Sequence, residues 1–130
     1  MSTINRDQAI IEFDKWAFDI KKIKPRLIDE ELKESVVQNI MDGTFAIDEE
    51  GNVIQKLLFP TSDTVQELKF KPRLLGFEMS KMKEYKDSDA TGKASALIAV
   101  LTGMNKGIIG KLDSSDLMAA QQLVSFYLVG

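Results

Sequence analysis

The sequence predicts an α+β domain: a small antiparallel β-meander with N-terminal helices and a C-terminal helical layer. Three observations lead there. An acid-led amphipathic stretch runs from Asp29 to Gly43, and three β-prone stretches split by turn residues lie between Thr44 and Lys71. From Ala94 onward the chain is apolar at helical spacing. A length of 130 residues, 44% apolar and 28% charged, suits one globular domain. Its segments are an N-terminal helical part (1–43), the β-meander (44–75) and a C-terminal helical part (76–130).

Asn5 is a suitable N-cap, and Ile10, Phe13 and Ala17 follow at helical spacing. Trp16, Phe18 and Ile20 alternate with less apolar neighbours as in a strand, which leaves both a helix and a short strand open at this point. Lys21, Lys22, Lys24 and Arg26 form a basic knot around Pro25, where a regular element should stop. The next helix opens on Asp29, Glu30 and Glu31, acids that suit the positive end of a helix dipole. Leu32, Val36 and Ile40 give its apolar face, and Gly43 fits its C-terminal cap.

Thr44–Ile47 and Val53–Phe59 read as a hairpin around Asp48–Asn52, with Gly51 free to take positive φ. Pro60 closes the second strand, and Val65–Lys71 is a third β-compatible stretch ended by Pro72. Gly76–Lys86 is compatible with a helix bearing Met and Lys, and Asp87–Gly92 reads as a loop. Ala94, Leu97, Ile98 and Leu101 match one helix face, and Gly103 ends it. Gly107–Gly110 is a compact connection, after which Asp113 or Ser114 caps the last helix. On that helix Leu117, Ala120, Val124, Tyr127 and Leu128 share a face, which Leu123 and Phe126 widen beyond a normal stripe.

Composition narrows the chemistry. With no histidine and no cysteine, Ser-His-Asp machinery, imidazole bases, thiolate nucleophiles and thiolate metal sites are excluded. A net charge of −3 creates no field that singles out nucleic acid or an anionic membrane. Neither a secretion signal nor an apolar run of membrane-spanning length is present, so a cytoplasmic protein is expected.

The remaining motifs favour structural readings. Ala90–Ser95 has the Thr-Gly-Lys of a phosphate loop but lacks its earlier glycine and preceding buried strand, so a loop leading into a helix is expected. Asp42 with Asp48, Glu49 and Glu50 lacks the alternating donors of a calcium loop. Lys24-Pro25-Arg26-Leu27 recurs as Lys71-Pro72-Arg73-Leu74; with Lys69 and Lys81 these sites could touch phosphates, but the adjoining helix is acidic and nucleic acid is disfavoured. No cofactor, metal or catalytic constellation is expected. The apolar material at Met79, Met82, Met104, Met118, Leu123, Phe126, Leu128 and Val129 is the candidate surface, methionine being adaptable at protein contacts.

From Asp48 onward the order of motifs is characteristic. Gly51–Pro60 and Val65–Leu74 are followed by an Ala/Leu-rich helix ending in Thr102-Gly103, then by Leu112-Asp113-Ser114-Ser115-Asp116-Leu117 at a helix start. This order resembles the small tail assembly chaperones of tailed bacteriophages and related contractile particles; the resemblance does not extend over residues 1–43. It implies a non-enzymatic protein that binds the tape measure protein in the bacterial host cytoplasm until tail tube subunits polymerise, with self-association expected. Met104, Leu117, Leu123, Phe126, Tyr127 and Leu128 are then the expected partner-binding residues, with Arg73 and Asp116 structural or orienting. The alternatives are a structural subunit retained in the tail or baseplate and a small nucleic-acid-binding regulator.

Overall fold

A computed structural model describes residues 4–73 and 90–127. The fold is α+β: the described residues form five α-helices and a three-stranded antiparallel sheet. Helix α1 (Arg6–Asp14) begins at Asn5, whose side chain accepts from Gln8 N. It runs directly into a π-helical turn, Lys15–Ile20. No strand forms at Trp16–Ile20, so the alternation there does not decide the backbone. Ala9, Phe13, Trp16 and Ala17 recur at helical spacing and are all fully buried, and that longer pattern prevails. The turn ends at Lys22, in the left-handed region at φ 58°, where Ile23 N reaches back to Ala17 O at 2.8 Å. The left-handed residue ends the turn and Ile23 beyond it is buried.

A 3-10 turn at Pro25–Leu27 leads to helix α2 (Glu30–Met41), whose first amides are capped by the Asp29 carboxylate. Strands β1 (Phe45–Ile47), β2 (Val53–Lys56) and β3 (Glu67–Phe70) follow in sheet order β1-β2-β3. Phe45 pairs with Gln55 and Gln55 with Leu68, while Val53 pairs with Phe70, so these side chains form one buried face. Ala46, Lys56, Glu67 and Lys69 on the other face are exposed, as an antiparallel sheet with one wet side requires. Gly51 takes φ +89°, and a Cβ there would stand 2.6 Å from Ile20 Cγ2, so both backbone conformation and close approach demand glycine.

The C-terminal layer comprises α3 (Ala90–Thr102), α4 (Lys106–Gly110) and α5 (Ser114–Val124), continued by a 3-10 turn at Ser125–Tyr127. Ala90–Gly92 belongs to α3 rather than to a preceding loop, and Gly107–Gly110 lies in a short helix capped by Asn105. Helix α5 packs between α2 and α3, and α3 lies against β3. The expected helix at Gly76–Lys86, with Met79, Lys81 and Met82, falls outside the described residues, as do Leu128 and Val129. No helix among the described residues is long and apolar enough to cross a membrane.

Candidate functional site

The two ends of α5 meet different surroundings. At its C-terminal end, Leu123 and Phe126 are 0% and 2% exposed. The Phe126 ring meets Phe13 edge-on at 5.3 Å and Trp16 at 6.4 Å. These two residues are therefore core, which corrects the expectation that they present apolar surface to a partner. The helix has a wide apolar face because α2 and α3 both pack on it from within the same chain, while Phe13 of α1 and Trp16 of the π turn cover Phe126 in the turn that follows. The buried face is Asp116, Ala120, Leu123 and Val124, rotated from the one centred on Leu117 and Val124.

Tyr127 also faces inward. Its hydroxyl donates to Lys71 O at 2.7 Å, and burial raises its pKa above the usual phenol range. Lys21 Nζ lies 3.5 Å from the centre of the Tyr127 ring and donates to Pro72 O at 2.9 Å. Burial, and secondarily the positive charge of Arg73, pulls the Lys21 ammonium down to about 8. Neighbouring carbonyls of the segment after β3 are thus held by Tyr127 and Lys21, closing the N-terminal and C-terminal elements onto the sheet. Arg73 itself is exposed, and Met104 and Leu117 are half-buried against the core.

At the N-terminal end of α5, Asp113 caps Ser115 N, and Asp116 is 1% exposed. The Asp116 carboxylate accepts from Leu58 N at 2.9 Å and Phe59 N at 3.0 Å, and its carbonyl accepts from Gln55 Nε2 at 2.9 Å. These bonds stop β2 at Lys56 and turn the chain outward. Leu57 stays buried, whereas Leu58 and Phe59 are 52% and 57% exposed and Pro60 follows them to the surface. A carboxylate holding two successive amides fixes a corner whose residues keep more than half of their surface in solvent.

Sequence reasoning placed Leu58 and Phe59 inside a strand and passed over them as surface. The usable signal was four apolar residues in a row, Leu57–Pro60, which an alternating strand cannot bury on one face. Met118, among the candidate apolar residues, is exposed and rims a hollow between α2 and α5 that Asn39, Ser115 and Gln122 also line. The outward apolar groups at the head of α5, rather than the residues at its tail, are available to a partner. In comparison with known proteins, the chain matches no protein-family model, no curated protein and no solved structure.

Proposed function

We propose that this chain is a non-enzymatic tail assembly chaperone that binds the tape measure protein while a phage tail or tail-like particle is built in the host cytoplasm. The reading is supported by the resemblance of its motif order to that family and by one geometric observation. The Leu-Asp-x-x-Asp-Leu helix start grips the Leu-Phe-Pro segment just after β2 through Asp116, so two motifs of the resemblance jointly present Leu58 and Phe59. Two outward apolar side chains on a rigid corner suit the apolar stripe of an amphipathic client helix. Each such contact is small and reversible, and many copies along a long helical client would supply avidity.

The test is co-expression with the tape measure protein of the same particle. Leu58→Asp with Phe59→Asp should abolish co-purification while the free protein keeps its circular dichroism and a cooperative melt. Retention of the client by that folded variant would refute the assigned surface. Finding the chain stoichiometrically in purified particles would instead support a retained tail subunit.

A further inference from the structure

The basic knot around Pro25 and the second Lys-Pro-Arg step, far apart in sequence, meet in the fold. Lys21 Nζ donates to Pro72 O at 2.9 Å, and Arg73 is the next residue along. The same ammonium lies 3.5 Å from the centre of the Tyr127 ring, whose hydroxyl holds Lys71 O. Burial and, after it, the charge of Arg73 lower the Lys21 ammonium, so the two cations act on each other. Among the described residues, no ion pair joins Lys21, Lys22 or Arg73 to a carboxylate. Lys22 adds a third positive charge, exposed and held at φ 58°, where glycine would sit with less strain. Like charges gathered without a counter-ion, one of them on a strained backbone, oppose folding, and such local conflicts concentrate at ligand sites.

We propose that Lys21, Lys22 and Arg73 form a binding site for a compact, doubly charged oxyanion of the phosphate class. Lys21 spends one of its three N–H groups on Pro72 O and, being half-buried, keeps another for a ligand. The exposed Arg73 guanidinium makes no hydrogen bond among the described residues, and its planar fork suits two oxygens of a phosphate. A carboxylate would neutralise only one of these charges, whereas a phosphomonoester carries about −1.5 to −2 at neutral pH. A duplex nucleic acid fits poorly. Gly51 packs against Ile20 and Pro72, so the hairpin tip with Asp48, Glu49 and Glu50 borders the site, and a long polyanion would run onto those acids.

The site lies by Tyr127 at the tail of α5, away from the Asp116 corner at its head, and stands independently of the proposed chaperone role. Inorganic phosphate titrated into the isotope-labelled full chain at constant ionic strength, followed by amide chemical shifts, is the test. Shifts should move at Lys21, Lys22 and Arg73 and saturate as one site, with sulfate competing and acetate at least about tenfold weaker. Arg73→Ala, folded by circular dichroism, should weaken phosphate about tenfold, Arg73→Lys should weaken it less, and Lys111→Ala should leave it unchanged. Lys22→Gly should weaken phosphate while raising the melting temperature of the free chain, because glycine relieves the left-handed backbone. A response shared evenly by all exposed lysines, phosphate binding indifferent to Arg73→Ala, or acetate bound as tightly would overturn the proposal. Tighter binding of a duplex oligonucleotide through the same residues would also overturn it, making the patch part of a nucleic-acid surface.

Discussion

The two ends of α5 carry similarly apolar neighbourhoods with opposite fates. At its tail, Leu123 and Phe126 are buried within the chain, Phe126 against Phe13 and Trp16, while at its head the polar Asp116 is buried and the apolar Leu58 and Phe59 are pushed out. Hydrophobicity by itself therefore does not tell core from contact surface. What separates the ends is the partner each finds within the chain: an aromatic cluster at one, two unsatisfied backbone amides at the other. The largest expected effect follows from the tail. Phe126→Ala removes a ring packed against Phe13 and Trp16 and should cost about 3–5 kcal/mol of stability by urea unfolding. Charged replacements of Leu123 and Phe126 should unfold the domain outright, so loss of a partner in such a variant would say nothing about binding.

At the head the expected cost is smaller and of another kind. Asp116→Ala leaves Leu58 N and Phe59 N without their acceptor, at a place water can partly reach. A loss of about 1.5–3 kcal/mol is expected, with faster amide exchange at Leu58 and Phe59 in particular. Asp116→Asn keeps an oxygen acceptor and should recover part of both. If Asp116→Ala changed exchange at the tail of the helix as much as at the corner, the two ends would not be the separate units described above.

The same division explains what the sequence disclosed. The cap at Asn5, the cap at Asp113 as one of two choices with Ser114, and the turn from Asp48 to Gly51 are decided by residues within a few positions of one another, and they were legible, whereas Asp29 was read as a first-turn acid and is the cap. The meander and its wet face follow from alternation and were legible too. The burial of Phe126 depends on Trp16 and Phe13, more than a hundred residues earlier, and no local period carries that information. The strand-like alternation at Trp16, Phe18 and Ile20 left helix and strand both open because a window that short fits two periods. The exposure of Phe59 hangs on a carboxylate 57 residues away, so only the over-long apolar run hinted at it.

A pH titration probes the tail without mutation. Lys21 is held at about 8 in the fold against an ordinary 10.5, so between those values the unfolded chain binds the extra proton and stability rises with pH. Tyr127 acts oppositely: its raised pKa keeps the phenol neutral in the fold while the unfolded phenol ionises near pH ~10, so stability falls above that point. The melting temperature should climb from about pH 8 and turn over near pH ~10. Glu34 and Asp48, whose pKa values are lowered by Arg6 and by Asn52, act only on the acid side of neutrality. Lys21→Met should flatten the climb, and an unchanged profile would show that the Lys21 ammonium is not desolvated against Tyr127.

The smallest stability effect belongs to the residues with the largest proposed part in binding. Leu58 and Phe59 keep more than half of their surface in solvent, and the corner is held through their backbone amides, which any non-proline residue supplies. Leu58→Ser and Phe59→Ser should therefore each lower the unfolding free energy by about 1 kcal/mol at most. Their amides should remain slow to exchange, because the Asp116 bonds do not involve the side chains. A clear loss of stability would mean that the corner packs onto its own domain and that the head of α5, like its tail, is core. Preserved stability with lost client binding would separate the two ends as sharply as their burial does.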